Sequence, residues 1–284
     1  MWQERTLELG SGRTLRAYQA GKGADVVLIH GALGTSHDWL TSPVAAELVK
    51  SRRVTVVDRP GHGASARPRF AGTPRDQADQ IAQGLDRLGI ERPVIAGHSF
   101  GGLVTLALAE RHPGRVAAMV LVAPLAFPEP RFLEHTLLLP RSAPVMGPLF
   151  SQVAETSLLD RTLLPFIQKL MFFPQEVPAY WKESFPYEEK LDSAALVFEG
   201  EDAAAILPLS PAGTIAIASI RTPAHVLTGT RDQVVEDERQ AKALGRLLPN
   251  GRVTEIEGAG HMLHHTHPDR VLGAVLDASA ARAP

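Results

Sequence analysis

Cysteine is absent from all 284 residues. That removes disulfides, thiolate nucleophiles and zinc–thiolate sites at once. Aromatic residues are few, at 6%. No stretch approaches the roughly 18 uninterrupted apolar residues of a membrane-spanning helix, because proline or charge breaks every candidate, residues 137–150 included. A large charge of either sign is also missing: 29 Lys and Arg against 31 Asp and Glu leave −2. Such a balance gives nucleic acid or an anionic membrane nothing to bind electrostatically. The opening Met-Trp-Gln-Glu-Arg-Thr carries an acid early and lacks the apolar core of a secretory signal. The expectation is a soluble, cytoplasmic protein that acts on a small molecule, with no nucleic-acid partner and no integral membrane segment. Its oligomeric state stays open.

What is present is ordinary globular material, 44% apolar and 21% charged, enough for one large α/β domain with an insertion. Short β-rich runs alternate with helical spacing. Residues 6–9 and 14–18 read as an antiparallel pair around Gly10-Ser11-Gly12. Runs at 26–29, 54–57, 94–96, 116–122, 224–227 and 253–256 read as further strands. Helices are predicted from Pro74 to Gly89, over 237–248 and over 269–278. Strands buried on both faces and separated by helices imply a mainly parallel sheet with helices on both sides, with ligands at the carboxyl ends of its strands.

The alternation lapses between Pro124 and Pro223, which hold 13 of the 22 prolines and 8 of the 10 phenylalanines. Helical patches such as 157–173 mark this segment as an inserted cap, not a loop. Residues 1–123 and 224–284 then form the core domain, and 124–223 the cap. Its apolar residues, among them Leu138, Met146, Phe150, Phe166, Phe172 and Phe173, are expected mostly in the cap's own core, with a minority lining an apolar cavity. An outward apolar surface for a partner or lipid is the alternative.

The chemistry centres on Ser99, where an apolar strand turns at Gly97-His98-Ser99-Phe100-Gly101 into an apolar helix. A serine hydroxyl reacts at neutral pH only when it is held away from its own backbone and handed to a base. A strand-to-helix elbow holds it so, and the pattern needs glycine at 97 and 101. The Phe100 amide then opens the helix as an anion donor. Among eleven histidines, His261 follows a predicted strand in Gly258-Ala259-Gly260-His261, which brings it to the same sheet edge. His264, His265 and His267 have no partner acid at a metal spacing, so no metal is assigned. His98 and His112 read as structural, His30 as shaping its loop, and His37 and His135 carry no role. Asp232 comes directly after another predicted strand, 29 residues before His261, which gives the order Ser, Asp, His. Glu236 and Asp237 are rivals that a helix start would recruit anyway. The second oxyanion donor is assigned to the Ala32 amide, in the small-residue loop His30-Gly31-Ala32-Leu33-Gly34.

These pieces, with Asp58-Arg59-Pro60-Gly61-His62-Gly63-Ala64-Ser65, resemble a capped member of the α/β-hydrolase superfamily over about residues 25–270. The resemblance implies a Ser-His-Asp hydrolase with no metal or organic cofactor. Serine at 99 speaks against the dehalogenase and epoxide hydrolase branches, which place aspartate there. Gly61 to Ala66 also fits a dinucleotide fingerprint, but Arg67-Pro68-Arg69 follows where a helix should begin, so a structural turn is expected. The predicted reaction is hydrolysis of a carboxylic ester or lactone with an apolar moiety. Carbon–carbon bond hydrolysis of diketone-like ring-cleavage products, perhydrolase chemistry of the haloperoxidase type and non-catalytic ligand reception are the alternatives.

Overall fold

The computed structural model describes residues 1–129, 132–157, 159–184, 192–207, 210–211 and 213–280. An eight-stranded sheet is built from β1 (Gln3–Gly10), β2 (Arg13–Ala20), β3 (Asp25–Ile29), β4 (Arg53–Val57), β5 (Val94–His98), β6 (Ala118–Val122), β7 (Ala224–Gly229) and β8 (Gly251–Ile256). Their spatial order is β1-β2-β4-β3-β5-β6-β7-β8. The first pair is antiparallel, β2 runs antiparallel to β4, and the rest are parallel. Every strand predicted from the sequence is present. β6 begins at Ala118 and not at Val116, whose side chain packs in the core ahead of the ladder.

Two apolar layers cover the sheet. Val27, Ile29 and Ile95 pack on one face with the helices Pro74–Arg87 and Phe100–Arg111. Val26, Leu28, Val94 and Ala96 pack on the other with Pro43–Leu48 and Pro268–Ala280. This period-two division explains why the runs are apolar throughout: both sides are buried. Each such Val or Ile contributes about 1.5–3 kcal/mol. The helix Pro74–Arg87 starts where its sequence says it should, with Thr73 and Asp76 forming a reciprocal cap and Pro74 in the first turn. Past its end, Gly89 takes φ +65°, a left-handed turn suited to glycine. The helix predicted over 237–248 is a π-helical turn, Glu238–Lys242, that runs into Ala243–Leu247.

Between β6 and β7 the described residues are helical, in Phe132–Leu138, Met146–Thr156, Leu159–Phe172, Ala179–Ser184 and Ser193–Ala205. Parts of the 124–223 segment lie outside the described residues. Phe172 and Trp181 are buried against Met262, and Leu138 against Leu196 and Ala203. Met146, Phe150, Phe166 and Phe173 of this segment are exposed, so part of its apolar surface faces outward, as the alternative reading expected. Met146, Leu149, Phe150 and Val153 recur at helical spacing on one uncovered face. No described helix is long and apolar enough to cross a membrane.

Candidate active site

Strand β5 ends at His98, and the chain turns into helix Phe100–Arg111 through Ser99, which has φ +52° and ψ −119°. Few non-glycine residues adopt this conformation, and here the surroundings impose it. The Ser99 amide donates to Val122 O at 3.0 Å, while its carbonyl accepts from Gly102 at 2.9 Å and Leu125 at 3.1 Å. A side chain at 101 would put its Cβ 2.5 Å from the carbonyl oxygens of Ile29 and His30, and one at 97 would strike Gly101 and Thr105. The helix can therefore press against β5 and β3 only with glycine at 97 and 101 respectively.

Asp232 and His261 arrive from the two neighbouring loops. Asp232 lies just past β7 and is pinned by its own turn, with Oδ1 accepting the amides of Val234 at 2.8 Å and Val235 at 2.9 Å. Its Oδ2 lies 2.7 Å from His261 Nδ1, and both side chains are almost fully buried. The rival acids face elsewhere: Glu236 pairs with Arg239, and Asp237 with Lys242. Ser99 and His261 are not hydrogen-bonded to each other in this structure. His98, next to Ser99 in the chain, packs on His261, its ring centroid 4.7 Å from that of His261 and its Nε2 3.3 Å from the His261 carbonyl. From the helical segment, Gln175 donates to Gly258 O at 2.8 Å and accepts from Gly260 N at 3.0 Å, clamping the histidine loop on both sides.

The loop after β3 lies against the elbow, since a Cβ on Gly31 would come within 3.0 Å of the Ser99 Cβ. His30 shapes this loop as expected. Its Nε2 accepts the Arg59 amide at 2.9 Å and its Nδ1 donates to Gly31 O at 2.8 Å. Burial, reinforced by Arg59, lowers its pKa well below the usual value, which keeps the ring neutral and its Nε2 lone pair free to accept that hydrogen bond. Gly61 and Gly63 both have positive φ, and the next helix begins only at Pro74, so the fingerprint-like segment is a turn. Asp58 ties that turn to Ser36 N at 2.7 Å and to Ala64 N at 3.0 Å.

Two buried charge clusters escaped the sequence reading. Asp38 supplies the acid that His264 and His265 lacked locally, accepting from each at 2.9 Å and from Trp181 at 3.4 Å. Burial pushes the Asp38 carboxyl up, but the two imidazoles outweigh it and hold it well below the usual range. Burial lowers His264 to about 4 against the pull of Asp38, and drives His98 well below its usual value. In the second cluster, Arg59, His62, Glu199 and Asp202 meet beneath helix Ser193–Ala205. Burial and then Arg59 depress His62 to about 3. Donor atoms of Asp38, His98 and His264 lie within 4.8 Å of one another, as do those of His62, Glu199 and Asp202. N–H donors already occupy the first carboxylate, and the Arg59 guanidinium, 3.2 Å from His62, supplies the positive charge in the second.

A sequence model of the alpha/beta hydrolase fold matches residues 26–268. The chain belongs to the α/β hydrolase family. Over 265 residues it is 28% identical to a dihydrolipoyllysine-residue acetyltransferase component of the acetoin cleaving system from Pseudomonas putida. That match covers 92% of this chain but only 65% of the relative's length. A 2-hydroxymuconate semialdehyde hydrolase from Pseudomonas putida is 28% identical over 271 residues, covering 92% of this chain and 89% of the relative. Among solved structures, the esterase RhEst1 from Rhodococcus sp. ECU1013 superposes with a TM-score of 0.76 at 21% identity, over 99% of both chains. That likeness speaks for the shared fold of this α/β hydrolase.

Proposed function

We propose that this hydrolase cleaves a carboxylic ester or lactone carrying an apolar moiety, through an acyl-enzyme on Ser99. The observation that carries the reading is the 2.7 Å contact between Asp232 Oδ2 and His261 Nδ1, on the loops after β7 and β8, at the same sheet edge as a serine held at φ +52°. With Nδ1–H committed to Asp232, the other nitrogen of His261 has its lone pair available for the Ser99 proton. The Ser99–His261 hydrogen bond closes as substrate binds, since such contacts are often open in a free enzyme. Ser99 Oγ attacks the carbonyl carbon, the proton passes to His261, and the Ala32 and Phe100 amides stabilise the oxyanion. His261 then protonates the leaving alkoxide. It next takes a proton from water, which attacks the acyl-enzyme, and passes that proton to the departing Ser99 Oγ as the acid is released. Residues 124–223 act as a cap over this site, and no cofactor or metal takes part in any step.

A second reading, carbon–carbon bond hydrolysis of a diketone-like ring-cleavage product, is favoured by the match to the 2-hydroxymuconate semialdehyde hydrolase along most of both chains. A fluorophosphonate probe tests the common part: wild type should label and Ser99→Ala should not. An unlabelled, folded wild type refutes both readings. Esters of graded chain length, lactones and vinylogous diketones then separate them by kcat/KM.

A further inference from the structure

Helix Ser193–Ala205 buries three carboxylates within one turn, Glu199, Glu201 and Asp202. Charged groups go inside only when paired, and all three are, Glu199 with Arg59 at 3.7 Å. Glu201 takes Arg67, Arg69 and the Phe70 amide, while Asp202 takes Arg59 at 2.5 Å and Gln77 at 2.9 Å. These bonds already fasten the helix to the loop after β4. Glu199 is aimed differently. Its Oε1 accepts the Leu33 amide at 2.8 Å and lies 3.1 Å from His62 Nε2.

Leu33 has φ +54°, a left-handed conformation that a leucine does not adopt unaided. A charged acceptor on its amide holds it there. Leu33 follows Ala32, so Glu199 fixes the peptide unit immediately after the one that carries the Ala32 N–H. That preceding unit is held too. Its carbonyl, Gly31 O, accepts from Arg59 Nη2 at 3.2 Å and from His30 at 2.8 Å. Donors on a peptide oxygen polarise the unit and strengthen its N–H as a donor. The same Arg59 guanidinium lies 4.7 Å over the ring of Phe100, the other oxyanion residue, and is itself held by Asp202 of the helix.

We propose that Glu199 is a positioning residue for the oxyanion hole: reaching from the cap helix, it fixes the Ala32–Leu33 peptide while Arg59 fixes Gly31 and Phe100, so the hole is complete only with this helix docked. The proposal rests on the acyl-transfer reading above. Three variants test it. Glu199→Asp keeps the charge but is one methylene too short to reach Leu33, Glu199→Met removes the acceptor, and Glu199→Gln retains an acceptor oxygen. With p-nitrophenyl butyrate, Glu199→Asp and Glu199→Met should lose about 10²-fold in kcat, the scale of a misplaced catalytic group, with KM within about threefold and weaker inhibition by phenylboronic acid. Glu199→Gln should recover at least about tenfold of that loss. Amide hydrogen exchange over residues 30–35 should quicken in the Asp and Met variants alone. Unchanged kcat, a loss confined to KM, or equal loss in all three variants overturns the proposal. Fluorophosphonate labelling of the wild type reports separately on the acyl-transfer reading. Should that fail, undiminished protection of Leu33 in Glu199→Asp still refutes the tie.

Discussion

Asp232 divides its carboxylate between two tasks: Oδ2 meets His261 Nδ1 at 2.7 Å, and Oδ1 holds the Val234 and Val235 amides of its own turn. An asparagine has one oxygen for both. In Asp232→Asn the turn amides claim that oxygen, and the side-chain NH2 then faces His261 Nδ1. The ring is forced to accept at Nδ1 and carry its proton on the nitrogen meant for Ser99. Turnover should fall by about 10⁴ from this wrong tautomer, while the melting temperature stays within a few degrees. A kcat measurement beside a thermal melt separates the two effects.

Gly101→Ala tests the elbow from its structural side. The new Cβ would sit 2.5 Å from two backbone oxygens of the chain leaving β3. No flexible side chain is available to give way. A loss of about 1–3 kcal/mol, typical of overpacking, is expected in urea titration, together with slower fluorophosphonate labelling of Ser99. Wild-type stability and labelling would contradict the close approach of this helix to β3.

Acid should weaken the fold as the pH falls below about 6.5, through its buried histidines. His62, at about 3, and His264, at about 4, stay neutral in the native state, and His30 and His98 are shifted the same way. Their unfolded forms take up protons near pH 6.5. The unfolded chain therefore binds more protons, and stability rises with pH through the window from about 4 to 6.5. Each such histidine contributes up to about 1.4 kcal/mol per pH unit there. Asp38 acts in the same direction only below its unfolded value near 3.8. Urea midpoints at pH 7, 6 and 5 should fall progressively, and a flat series would show these rings protonated or solvated in the native state.

Ser99, Asp232 and His261 were legible because each sits where a strand pattern ends in a turn, a signal local in the chain. Asp38 was not. Its partner His264 is 226 residues away, and neither segment carries a pattern that announces the other. Glu199 and Leu33 are 166 apart for the same reason. In the Pro124–Pro223 segment, apolar composition could not reveal which way a helix faces. Met146, Leu149, Phe150 and Val153 share a helix face whose spacing would suit burial, yet it is exposed. The sheet could be read because both its faces are covered, so that no choice of side had to be made.

The hydrogen bonds of Gln175 to Gly258 and Gly260 bear on how such enzymes can be recombined. A chimera that exchanges residues 124–223 for the corresponding segment of a relative also exchanges the clamp on the histidine loop. Unless the donor segment supplies an amide at that point, the graft breaks two backbone contacts in a part of the chain it never touched. The smallest portable unit is therefore the segment between β6 and β7 together with residues 258–260, and a crossover placed at the ends of that segment cuts through it.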